Sequence, residues 1–113
     1  MSKEIQCVLV VDDSPSVRRV VSEMLKRNGW EVLSACDGVE AIEMVIKHQS
    51  VDAMLLDIEM PHMDGYELIA ALRKNEQHQH LPLIVLASRT ASKYQQRALS
   101  LGADAYIVRH RLI

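Results

Sequence analysis

The sequence predicts an α/β domain, a five-stranded parallel sheet with helices on both faces. Two observations carry this reading. Five short apolar runs recur along the 113 residues, at Cys7–Val11, Glu31–Ala35, Ala53–Leu56, Leu83–Ala87 and Ala105–Val108. Several are solidly apolar rather than alternating, which is how strands covered on both faces read. Amphipathic stretches separate the runs, and strand–helix alternation implies parallel pairing through right-handed crossovers. No linker or internal repeat interrupts the pattern, so residues 1–113 are expected to form one domain.

Each helix has readable ends. After the first run, Ser14 is placed to cap a helix with Pro15 at its first position. Val17, Val20, Val21, Met24 and Leu25 form its apolar stripe, and Gly29 supplies the stop. Asp37 with Glu40 resembles a capping box, and Ile42, Val45 and Ile46 are expected to carry the buried face that follows. A third helix is expected from about 64 to 74 with Leu68, Ile69 and Leu72 inward, and a fourth from about 92 to 101, ended by Gly102. Only five residues follow Val108, so the final helix of the second layer is apparently missing.

Composition narrows the function. Hydrophobic residues make up 49% and charged residues 25%, as in soluble globular domains. A net charge of −2 gives no general attraction to nucleic acid or to acidic lipid. The first dozen residues lack both the length of a membrane span and a cleavage region, so a cytoplasmic protein is expected, with no membrane partner. Cys7 and Cys36 form no C-x-x-C pair and read as small buried apolar side chains. His78 and His80 read as part of a solvated loop, and Met54, Met60 and Met63 as packing.

Acids mark the ends of two runs: Val11 is followed by Asp12 and Asp13, and Leu56 by Asp57. Ligands of open α/β sheets sit beyond the carboxyl ends of the strands. In the flavodoxin-like order 2-1-3-4-5, which is taken over from that fold class rather than derived, strands one and three are neighbours and the three carboxylates converge. Each like-charge pair at 4 Å costs roughly 4 kcal/mol at an effective dielectric of 20. A hard divalent cation relieves this, and oxygen-only ligands favour Mg²⁺. Such an ion would also leave Asp57 free to attack phosphorus. The plainer alternative is that Asp12 and Asp13 cap the first helix and Asp57 is an ordinary loop acid.

The stretches VLVVDDSPSVRR, MLLDIEMPHMDGYEL and SLGADAYIV resemble the receiver domains of response regulators in two-component signalling, and the likeness runs over the whole chain. The run SRTASKYQQRALSLGADAY looks most like receivers carried within chemotaxis-type hybrid kinases. The resemblance implies that Asp57 accepts a phosphoryl group from a histidine kinase or a histidine phosphotransfer domain. It also implies that Asp13 and Asp57 ligate Mg²⁺ directly, that Asp12 holds the ion through water, and that Glu59 lends its backbone carbonyl. Tyr106 matches the aromatic switch residue, although from the residues alone it reads as ordinary packing on an outer strand.

The chain departs from the family at the switch positions. A Thr or Ser is expected where Ala87 stands, with Ser88 one residue late and pointing elsewhere. The lysine position is Arg109, and the proline after it is His110. A degenerate pseudo-receiver acting as an interaction module is therefore the main alternative. An aspartyl-phosphate phosphohydrolase wants an acid two residues after the nucleophile, which Glu59 half-meets, and a substrate cap, which is lacking. A flavodoxin lacks its phosphate loop and flavin-stacking aromatics here. The missing helix implies uncovered apolar surface, expected to be covered by further chain or by a second copy in a homodimer.

Overall fold

The computed structural model describes residues 5–109. Its strands are β1 (Cys7–Val11), β2 (Glu31–Ala35), β3 (Ala53–Leu56), β4 (Leu83–Ala87) and β5 (Ala105–Val108), at the bounds expected from the apolar runs. Between them lie α1 (Pro15–Arg27), α2 (Gly38–Lys47), α3 (Gly65–Lys74) and α4 (Ser92–Leu101). All strand pairs are parallel and the order is β2-β1-β3-β4-β5. The flavodoxin-like arrangement is therefore present, with four helices and no fifth among the described residues.

Strand alternation sorts the core onto two faces. Leu9, Val11, Met54, Leu56, Leu83 and Val85 pack with Ala41 and Val45 of α2, Leu68, Ile69 and Leu72 of α3, and Ala98 of α4. Val8, Val10, Ala53 and Leu86 face the other way, against Val17, Val21 and Leu25 of α1. That second layer thins towards β5. Leu55, Ile84 and Ala105 share its face and are half-buried, and Ile107 is 38% exposed.

Helix ends follow local chemistry. Ser14 Oγ accepts from Val17 N with Pro15 at the first position, and α1 closes on Asn28, followed by Gly29 at φ +85°. The Asp37–Glu40 box is only half formed. Asp37 accepts from Glu40 N, but the Glu40 carboxylate reaches back to Cys36 N instead of Asp37 N. A complete box stands at α3, where Asp64 and Glu67 satisfy each other's backbone N–H. Two side chains depart from the expected stripes. Ile46 is 60% exposed, because the buried line of α2 runs through Ala41 and Val45 instead, and Met24 is 36% exposed on the outer edge of α1. Cys7 is buried as expected, whereas Cys36 is half-buried beside the Glu40 carboxylate.

One arginine ties the lower edge of the sheet together. Arg73, at the end of α3, donates to the carbonyls of Gly102 at 2.9 Å, His78 at 3.2 Å and Leu81 at 2.7 Å. Its other terminal nitrogen meets Asp104 Oδ2 at 3.0 Å, and that oxygen also accepts from Leu83 N. The guanidinium fork thus joins α3, the loop before β4, the end of α4 and the start of β5. Lysine has too few donors, in the wrong geometry, to replace it. Arg73→Ala is expected to cost about 2–3 kcal/mol, with Arg73→Lys recovering less than half, because part-buried carbonyls lose their donors. Urea unfolding of the two variants checks this.

Candidate metal-binding acidic site

The acids are assembled by strand register. Val11 pairs with Leu56, so the residues that follow, Asp12 and Asp57, leave neighbouring strands side by side. The ladder continues one step further, with Asp57 N donating to Val11 O at 3.0 Å and Asp12 N to Ala35 O at 3.1 Å. One carboxylate oxygen from each of Asp12, Asp13 and Asp57 lies within 4.8 Å of the other two. Asp12 and Asp57 are 3% and 7% exposed, while Asp13 is open to solvent, so the cluster has a buried floor and an open rim.

The local contacts hold this geometry. Asp12 Oδ1 accepts from Ser14 N at 2.9 Å, and Arg18 Nη1 donates to the Asp12 carbonyl at 2.6 Å. Asp57 Oδ1 accepts from Ile58 N at 2.8 Å. Gly65 presses α3 against the same strand end. A side-chain carbon there would collide with the Asp57 carbonyl and lie 2.8 Å from Ile58 Cα. Only glycine tolerates that approach.

Burial pushes the Asp57 carboxyl up to about 6, and the charge of Asp12 adds to the effect; the Ile58 N–H and Arg109 oppose it. Asp12 is also raised, first by burial, with Ser14 N and Arg109 pulling it back. Arg109 is the internal counter-charge. Its Nη1 lies 3.3 Å from Asp12 Oδ2 and 3.9 Å from Asp57 Oδ2. The donor set is all oxygen and strongly acidic, which fits Mg²⁺ and not a softer metal.

The remaining expected residues surround this centre in different ways. Ala87 is buried at the end of β4 and offers no hydroxyl, while Ser88 faces solvent. The Glu59 side chain turns away to an ion pair with Arg89. Tyr106 is half-buried, with its hydroxyl donating to the Arg89 carbonyl at 2.7 Å. His62, which sequence analysis does not place at the site, adopts φ +66° and meets Asp37 at 2.8 Å. Met54 is fully buried, and Met60 and Met63 pack on the core. His110 lies outside the described residues. A cavity of about 560 Å³, lined in part by His48, His78 and His80, sits at the opposite edge of the sheet, before β3 and β4, and takes no part in this site. Sequence reasoning missed Arg89 and Gly65. Gly65 follows Asp64 as a plain helix-start signal, but nothing in the spacing links Arg89 to Glu59.

Residues 8–110 match the family described as the response regulator receiver domain. This chain is a receiver domain. It is 38% identical over 103 residues to the sensor histidine kinase CheAY of Helicobacter pylori, covering 90% of this chain but 13% of that protein. The receiver fold superposes on chemotaxis protein CheY4 of Vibrio cholerae with a TM-score of 0.86 at 35% identity, covering 94% of this chain and 88% of that one. Response regulator TrrA of Thermotoga maritima, solved in complex with Mg(2+)-BeF, gives 0.80 at 34% identity, covering 91% and 85%. The receiver is a signalling domain of two-component systems, and its acidic triad is typical of receiver Mg²⁺ sites. No helix among the described residues is long and apolar enough to cross a membrane.

An acid whose pKa is higher in the folded than in the unfolded chain binds its proton more tightly when folded, so its ionisation destabilises the fold. Without metal, Asp57 therefore removes stability as pH rises from about 4 through about 6, on the order of 3 kcal/mol in all. In chelator, Asp57→Asn is expected to be more stable than wild type above about pH 7 and to lose that advantage near about pH 4. Equal unfolding midpoints for the two proteins at both pH values would contradict this.

Proposed function

We propose that Asp57 is the phosphoacceptor of this receiver and that Asp12, Asp13 and Asp57 hold Mg²⁺, with the Glu59 carbonyl beside them. The observation that carries the reading is the convergence of three carboxylates within 4.8 Å at the mouth between β1 and β3. When bound, Mg²⁺ offsets the crowded negative charge and the repulsion towards an incoming phosphoryl group. The rest of the chemistry belongs to the chain. Asp57, raised only to about 6, is mostly ionised at neutral pH and keeps a nucleophilic oxygen. That oxygen forms a bond to phosphorus as the phosphorus–nitrogen bond to the donor's histidine breaks, giving an acyl phosphate and a neutral imidazole. Ile58 N–H fixes the carboxylate rotamer through Oδ1. Arg109, already between Asp12 and Asp57, is placed to pair with the phosphoryl oxygens, with a planar fork where the family has a point charge.

The phosphodonor is a histidine kinase or a histidine phosphotransfer domain. The likeness to CheAY, whose name is that of a sensor histidine kinase, favours a receiver working beside such a kinase in the cytoplasm. The pseudo-receiver reading keeps one observation in its favour, the buried methyl of Ala87 in place of a hydroxyl. It concerns the response to phosphorylation more than the transfer, because the acids are complete. Exposure to a small phosphodonor with Mg²⁺ is expected to add one phosphoryl group by mass spectrometry, lost in Asp57→Asn and in chelator. Labelling that survives either change would falsify the assignment.

The reading extends to the thin half of the sheet, where Ile107 is exposed beside half-buried Ile84. A second copy of the chain is assigned to this face, and light scattering at micromolar concentration is expected to show a dimer that Ile107→Glu disperses. A stable monomer contradicts that part alone.

A further inference from the structure

Among the described residues, His62 is the one non-glycine with a positive φ, +66°. It stands at the centre of a three-residue turn, closed by Met63 N donating to the Pro61 carbonyl at 2.7 Å. Such a turn is strained and persists only where its surroundings hold it. The start of α2 supplies that hold. His62 Nδ1 meets Asp37 Oδ2 at 2.8 Å, and Gly38 N donates to the Met63 carbonyl at 3.2 Å. Residue 38 lies so close that a side-chain carbon there would collide with the same carbonyl. Asp37 does not need the imidazole for its local work, since Oδ1 alone accepts from Glu40 N and caps α2. Its second oxygen reaches a residue 25 positions along the chain.

The loop held in this way is the one that leaves the acidic site. Its near end is fixed at Ile58, whose N–H donates to Asp57 Oδ1 and whose carbonyl accepts from Gly65 N at 2.8 Å. Glu59 lies between that anchor and His62. Its side chain pairs with Arg89 at about half exposure, a contact too weak to fix the backbone. The direction of the Glu59 carbonyl therefore follows the two anchors. β1 lies between β2 and β3, so the His62–Asp37 bond joins the loops on either side of the strand that ends in Asp12 and Asp13.

We propose that His62, through its bond to Asp37, is a positioning residue for the metal centre, holding the loop after β3 so that the Glu59 carbonyl faces the converging acids. The inference rests on the proposed Mg²⁺ site. The Asp37 carboxyl is lowered, first by the Glu40 N–H and then by His62, so at neutral pH it is ionised and only accepts. The imidazole must then present Nδ1–H to it. The Asp37 side chain is 10% exposed and the His62 ring 73%, so the buried acid is the fixed partner and the exposed ring is oriented by this bond. Contacts one shell out from a metal typically change its affinity by about tenfold or more when removed.

Calorimetric Mg²⁺ titration of the full chain at neutral pH tests this, with urea unfolding to confirm that each variant is folded. His62→Gly accepts the positive φ but has no side chain, which separates the bond from the turn. His62→Asn also accepts that φ and places an amide nitrogen where Nδ1 stands, so a donor towards Asp37 remains. Asp37→Ser keeps a cap for α2 but lacks the second oxygen. His62→Gly and Asp37→Ser are each expected to weaken Mg²⁺ binding about tenfold, and the double variant no further than either alone. His62→Asn is expected to stay within about twofold of wild type. In backbone NMR, the Met60 amide, which is joined to the Glu59 carbonyl, is expected to lose its Mg²⁺-dependent shift in His62→Gly while the Ser14 amide keeps its own. Wild-type affinity in His62→Gly, or an intact Met60 shift, overturns the inference and leaves the three acids as the metal site. So do losses that multiply in the double variant, or an asparagine variant as weak as the glycine, since either marks a role in the fold alone. Absence of Mg²⁺ binding in wild type removes the metal reading itself, and the inference with it.

Discussion

β1 and β3 pair so that Val11 lies opposite Leu56, and the next residue on each strand is an aspartate beside another. That register is the constraint on which the site depends. It forces two nearly buried carboxylates together, with Asp13 on the rim, in a place where like charges repel strongly. Much of the surrounding detail answers that repulsion. Ser14 N and Ile58 N donate to the carboxylates, Arg109 lies between two of them, and Arg18 holds the Asp12 carbonyl. Asp57 nevertheless remains raised, first by its burial and then by the charge of Asp12. A site left short of positive charge is one prepared to take a cation.

The rest of the domain keeps that register in place. α3 can approach the end of β3 only because residue 65 lacks a side chain. At the other edge, Arg73 joins the starts of β4 and β5 to the ends of α3 and α4 through one planar group. The acids therefore stand at strand ends, with Ala87 at the end of the neighbouring β4 and Arg109 just after β5. Transfer chemistry and the response to it are separable in this molecule. The proposed transfer depends on carboxylates that are all present, whereas the residues around β4 and β5 include Ala87, which offers no hydroxyl.

Much of this was legible in the sequence. Continuous apolar runs gave strands at the observed bounds, because buried parallel strands need apolar residues on both faces. Acids placed directly after two of those runs marked the site, although their convergence required a strand order borrowed from the fold class. The failures have local causes. Ile46 fits a helical stripe by spacing, but α2 rotates Ala41 and Val45 inward and leaves it outside. Glu40 has the spacing of a capping box, yet its carboxylate finds Cys36 N, one residue beyond the expected partner. Arg89 carries no signal at all, since an exposed ion pair between two loops leaves no periodicity and no motif.

The central claim is that the acidic cluster is a cation site in which Asp57, the proposed phosphoacceptor, holds its proton more tightly than a free carboxyl until the ion binds. Calorimetric titration with Mg²⁺ in buffers of different ionisation enthalpy reads this directly as protons released. With Asp57 near 6, release of about half a proton is predicted at about pH 6, falling towards zero above about pH 7.5. Binding without proton release at the lower pH, or no Mg²⁺ binding at either, would contradict the account.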